Sequence, residues 1–148
     1  METIAQELEN MVKNYSVQFA NFTEAELTFK PAAGKWSKKE IIGHLVDSAQ
    51  NNIRRFIVTQ YETDPHVVYA QNEWVSIQNY QQYDSKELIT LWQLINKHIV
   101  VILKNMPAEK LQLLCNTGNT AKELHTIEFL AKDYITHQLH HLKQIIPA

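Results

Sequence analysis

Four long stretches of this chain repeat apolar residues every three or four positions, and few helix breakers interrupt them. That period matches the turn of an α-helix and clashes with the two-residue alternation of a strand. The first stretch carries Ile4, Leu8, Met11, Val12, Tyr15 and Phe19. The second starts at Ser37, a predicted N-cap with Glu40 three residues on as in a capping box, and carries Ile41, Leu45, Ala49, Ile53 and Phe56 toward Gln60. The third follows Ser85 as its predicted cap, with Leu88, Leu91, Trp92, Ile95, Ile99, Ile102 and Leu103 ahead of Pro107. The fourth runs from Thr126 to Ile146 with Ile127, Leu130, Tyr134, Leu142 and Ile145, and Pro147 stops it.

Only three glycines and four prolines occur in 148 residues, too few for a turn-rich sandwich or barrel. No convincing strand pair is visible. The expectation is an all-α four-helix bundle, one domain over residues 1–148, with long connections near 22–36 and 62–84. Asp64-Pro65 marks a turn, residues 74–83 suggest a short helix or packed loop, and Gly118 marks a turn over 116–119.

Several function classes are excluded. One cysteine, Cys115, rules out an intrachain disulfide and a cysteine-based zinc finger. A net charge of -2 provides no basic field for nucleic acid or an acidic membrane. No run of about 18 apolar residues exists to span a bilayer. Met1 to Gln6 lacks the apolar run of a signal peptide, so a cytoplasmic location is expected.

Seven histidines are the unusual count. His137 and His141 are four apart, which puts both rings on one helix face, as two ligands of one metal require. The spacing alone also fits a surface pair. The same face carries Leu130, Tyr134 and Ile145, however, and so points inward. Buried rings need partners, because an unsatisfied polar group in a core costs roughly 1–3 kcal/mol. A metal would satisfy both, with a third ligand from another helix. His44 on the second helix is the best candidate. Its polar stripe continues through Asp47 or Ser48, Asn51 and Arg55, residue types that line polar pockets more than solvated faces. Asp133, one turn before His137, fits either an outer hydrogen-bond partner of a ligating ring or a solvent carboxylate. His66, His98 and His125 need no special role, and His140 is rotated about 100° from His141.

Two segments resemble a known family. Gly34-Lys35-Trp36-Ser37, Glu40, Gly43 through Ser48, Asn51 and Arg55-Phe56 resemble the second-helix signature of the DinB/YfiT-like superfamily. Tyr134 through Ile145 resembles its fourth-helix signature, and Tyr69 to Trp74 falls where relatives carry a loop ending in tryptophan. The resemblance covers nearly the whole chain. It implies a four-helix bundle holding a divalent metal, zinc or nickel, on His44, His137 and His141, in members that act as metal-dependent hydrolases or thiol transferases and in several cases form homodimers. Some members use a low-molecular-weight thiol. Ala49 is a departure, standing where some thiol-transferase members carry another histidine.

Three neutral imidazoles leave a coordination position open, the catalytic rather than the structural arrangement. The expected function is therefore activation of water or a small thiol for hydrolysis or S-transfer on a small-molecule substrate. Asp47, Asn51 and Arg55 are the candidates to orient substrate or cofactor, with Arg55 suited to a carboxylate. Two alternatives stand beside this one. One is a non-catalytic metal-binding or stress-response module. The other is a structural helical dimer with the three histidines as satisfied core groups. Cys115 has no adjacent base to activate it, so any reacting thiol is expected to come from outside the chain.

Overall fold

A computed structural model describes residues 1–147; Ala148, the end of the expected domain, lies outside them. Six α-helices form: α1 (Glu2–Phe19), α2 (Glu24–Thr28), α3 (Lys38–Val58), α4 (Gln71–Gln78), α5 (Ser85–Lys104) and α6 (Ile127–Ile145). The long helices α1, α3, α5 and α6 are the four that the apolar periodicity predicts. α1 packs on α5 and α6, and α3 packs on the same two. The bundle therefore places α1 and α3, neighbours among the long helices in sequence, on opposite corners. The connection from Ala20 to Ser37 is long enough to cross between them, and it spends part of its length on α2.

Caps fix where these helices begin. Ser37 and Glu40 form the expected capping box, with the Ser37 amide donating to Glu40 Oε2 at 2.8 Å and the Glu40 amide to Ser37 Oγ at 3.1 Å. Thr23 and Glu26 repeat the device at α2. At α5 the cap is Asp84 rather than Ser85: Asp84 Oδ1 accepts from the Glu87 amide at 2.9 Å. Asp at that position also complements the helix dipole, and Ser85 Oγ is free to reach Glu24 Oε2 at 2.5 Å.

The expectation of no strand pairing is corrected. Leu114–Asn116 (β1) and Leu124–Thr126 (β2) pair antiparallel, with Cys115 opposite His125. At three residues each, these strands are too short for an alternating pattern to show. Asn116 Oδ1 closes the loop by accepting from the amides of Gly118 and Glu123 at 3.1 and 2.9 Å. The segment over 74–83 resolves into α4 and a 3₁₀ turn over Tyr80–Gln82, joined by Asn79 in the left-handed conformation at φ 49°.

The core combines apolar side chains with one closed polar network. Trp92, Phe19, Phe56, Tyr80 and Tyr134 are its largest fully buried members. Trp92 Nε1 donates to Gln138 Oε1 at 3.2 Å, and Gln138 Nε2 donates to the Tyr134 hydroxyl at 2.9 Å. The Tyr134 hydroxyl donates to Asn96 Oδ1 at 2.6 Å, and Asn96 Nδ2 returns to the Trp92 carbonyl at 2.8 Å. A network with every member satisfied specifies register without leaving orphaned groups, and it locks α5 against α6 one residue away from His137. No helix of the described residues is long and apolar enough to cross a membrane.

Candidate metal centre

His44 lies in the buried middle of α3, and His137 and His141 sit one turn apart on α6. Packing of α3 on α6 brings the three rings together. One nitrogen from each lies within 4.8 Å of the others. His44 Nε2 and His137 Nε2 are 3.1 Å apart, and the ring centroids are 4.7–5.1 Å apart at steep angles. Nitrogens about 2.1 Å from a shared tetrahedral ion are themselves about 3.4 Å apart, so this spacing suits one ion.

The electrostatics favour ligands over cations. Burial, then the neighbouring His137 and His141, depress the pKa of His44 to about 3. Burial, followed by His141, His140 and Arg55, depresses that of His137 to about 4. Burial also lowers His141, against an opposing hydrogen bond with Gln144. All three rings are therefore neutral at pH 7 and present lone pairs, the form that a divalent ion binds.

The rings are oriented from outside by Ser48, a member of the predicted polar stripe, and by Gln144 and Trp36, which helical spacing did not single out. Ser48 Oγ lies 3.3 Å from His137 Nδ1, and Gln144 Oε1 lies 2.9 Å from His141 Nδ1. Trp36 packs on His44 with centroids 5.0 Å apart. Asp133 is exposed and makes no hydrogen bond among the described residues, so the outer partner of His137 is a hydroxyl from α3 instead. A polar residue one turn after His141 was a usable signal for Gln144. The Ser48 contact crosses between helices and has no sequence signature.

The other candidates lie along α3 and do not hydrogen-bond to the triad. Asp47 is fully buried; its Oδ1 accepts from the Tyr80 hydroxyl at 2.6 Å and from Gln78 Nε2 at 2.7 Å. Its Oδ2 is buried without a partner, and burial raises its pKa against those two hydrogen bonds. Asn51 Nδ2 donates back to the Asp47 carbonyl at 2.9 Å. Arg55 donates from Nε and Nη2 to the Val67 carbonyl at 3.2 and 3.1 Å. Gln78 and Tyr80 were missed by sequence reasoning, because their role depends on where the connection between α3 and α5 folds back.

Three histidines stand apart from the triad. His66 Nε2 is 2.8 Å from the Gly118 carbonyl, His98 is exposed, and His125 stacks on Phe129 at 4.4 Å. His140 is exposed beside His141 and meets Gln144 Nε2 at 3.1 Å. An open pocket of about 860 Å³ borders the triad, lined by His141, Gln144, Trp36, Lys35, Gln71 and others. A separate groove between α1 and α5 is lined by none of the triad.

The DinB superfamily profile matches residues 7–145, nearly the whole chain. The chain belongs to the DinB superfamily. Among curated DinB relatives, it is 23% identical over 124 residues to YfiT of Bacillus subtilis, provisionally assigned as a metal-dependent hydrolase, covering 83% of this chain and 69% of YfiT. The solved YfiT structure, described as an unusual four-helix bundle topology, superposes with a TM-score of 0.86 over 97% of this chain and 82% of YfiT. The crystal structure of a mycothiol-dependent maleylpyruvate isomerase superposes with a TM-score of 0.79 at 13% identity. That match covers 98% of this chain but only 60% of the isomerase. At such identities the likeness is one of fold. The DinB bundle is the arrangement that carries the two histidine-bearing helices into contact here.

Proposed function

We propose that this chain is a metal-dependent enzyme that acts on a small molecule, with His44, His137 and His141 holding one divalent ion, zinc or nickel. The observation that carries the reading is the convergence of three neutral imidazoles, one of which, His141, lines an open pocket. Their donor chemistry fits a borderline ion of this kind, and three protein ligands are the count of a catalytic rather than a closed site. When bound, such an ion supplies Lewis acidity that makes water or a small thiol nucleophilic near neutral pH.

The chain's own residues do the rest. Ser48 and Gln144 hold the rings of His137 and His141 in place. Trp36 packs against the His44 ring and helps keep it from solvent. Asp47, pinned by Tyr80 and Gln78, presents a buried carboxyl one turn from His44 that can hold a proton during the reaction. Hydrolysis and S-transfer both suit this arrangement, and the fold shared with a thiol-dependent isomerase supports including thiols. The open pocket beside His141 favours catalysis over a sealed metal-storage centre.

The test is metal analysis of purified protein, followed by turnover assays of the loaded protein with ester and amide panels and with thiol–electrophile pairs. One divalent ion per chain, lost in His137→Ala, and turnover that follows metal content are expected. A protein that holds no metal, with His137→Ala leaving metal affinity unchanged, would sink the proposal.

A further inference from the structure

Arg55 is a largely buried cation without a counter-ion. No ion pair to it forms among the described residues. Its partners are neutral: the Val67 carbonyl for Nε and Nη2, and Asn52 Oδ1 at 3.5 Å for Nη1. A guanidinium has five N–H donors, so one N–H on each terminal nitrogen remains free. Burial accordingly lowers its pKa, partly offset by Cys115, Tyr69 and Asp133. A largely desolvated charge whose hydrogen-bond partners are all neutral favours an incoming anion.

That charge faces a pocket of about 490 Å³, whose lining includes Arg55, Tyr69, Gln71, Asn72 and Thr117. Its one carboxylate among the described residues is the exposed Glu73. The pocket joins the histidine triad through two links. Ser48, the residue that touches His137, lies two turns before Arg55 on the same face of α3. Gln71 and Asn72 line both this pocket and the one beside His141.

We propose that the Arg55 pocket is the anchoring subsite for a carboxylate group on the substrate, which it holds on the Ser48 side of the triad while the reacting end lies at the histidines. A planar fork with free N–H groups on both ends matches a carboxylate in a way that a single ammonium does not. The neutral side chains of Gln71, Asn72 and Thr117 add hydrogen bonds without competing charge. The role as substrate anchor rests on the metal-dependent reading above; anion binding at Arg55 does not.

The test is an NMR titration of ¹⁵N-labelled full-length chain, zinc-loaded and chelator-treated, with sodium acetate, sodium chloride and inorganic phosphate at matched ionic strength. The chain has two arginines, Arg54 and Arg55, so two side-chain Nε–H resonances report, and Arg55→Lys assigns them. The Arg55 resonance should move along a saturating curve with acetate, while exposed Arg54 follows ionic strength alone. In Arg55→Lys, acetate affinity read from the Gln71 and Asn72 amides should fall about tenfold, because the charge remains but the fork is lost. Equal responses to chloride and acetate, parallel shifts of both arginines, tighter binding of phosphate than acetate, or unchanged affinity in Arg55→Lys would each overturn the proposal. Metal content of the same samples separates the two readings. A chain that holds no zinc but takes acetate at Arg55 sinks only the metal centre, and a zinc-loaded chain with an unresponsive Arg55 sinks only the carboxylate subsite.

Discussion

Gly43→Ala should destabilise this protein, although alanine is the better helix former. Gly43 lies in α3 one residue before His44, and an added Cβ would fall well inside 3.0 Å of three ring atoms of Tyr80. Tyr80 is 2% exposed and cannot swing away freely. Expelling the ring loses the burial of a large side chain, about 1.5–3 kcal/mol. It also breaks the 2.6 Å bond from the Tyr80 hydroxyl to Asp47, a bond to an ionisable group of a class contributing about 1.5–3 kcal/mol. The gain in helix propensity offsets about 1 kcal/mol. The net loss is about 2–5 kcal/mol, or roughly 2–4 °C of Tm for each kcal/mol in a chain of this size. Urea and thermal melts followed by circular dichroism measure it. The cause is tested by pairing the change with Tyr80→Ala: with the ring gone, Gly43→Ala should stabilise by about 1 kcal/mol. A Gly43→Ala single variant as stable as the parent, or more stable, would refute the close packing of Tyr80 on α3.

Three further outcomes are expected. The metal-free chain should lose stability as pH falls from 6.5 toward 4, because the unfolded chain takes up protons on His44 and His137 that the folded chain, with pKa values of about 3 and 4, refuses. His44 alone accounts for roughly 1.5 kcal/mol between pH 6.5 and 5, so in urea melts of His44→Gln the stability difference between those two pH values should shrink by about that amount, and an unchanged difference would count against burial of the ring. Ser48→Ala and Gln144→Ala should each weaken zinc affinity about 10–100-fold, measured by chelator competition, with little change in folding. Gln138→Leu leaves Trp92 Nε1 unpaired and removes the donor to Tyr134, so it should cost about 2–4 kcal/mol in denaturant melts; a loss under 1 kcal/mol would show that the network does not hold α5 to α6.

The local structure of the bundle was legible because helices announce themselves locally. Apolar period, the Ser37–Glu40 box and Pro107 each act within a few residues, and all four long helices follow from them. The hairpin over 114–126 escaped notice because its three-residue strands are held by Asn116 and by pairing across a loop rather than by alternation. Asp84 replaced Ser85 as a cap because both residue types suit the position, and contact with Glu24 from another element decided between them.

The sequence by itself determined that His137 and His141 share a helix face, since a four-residue step fixes their relative rotation whatever surrounds them. It also placed His44 on a polar stripe beside the apolar line of the second helix. Only the tertiary structure decided that these faces meet, because α3 and α6 are more than sixty residues apart and their contact depends on how the long connections route the chain. The same routing brings Ser48 to His137, folds Gln78 and Tyr80 back onto Asp47, and opens separate pockets beside Arg55 and His141. Those contacts join residues far apart in the chain, so no local period encodes them; they arise from burying the apolar faces of four helices at once.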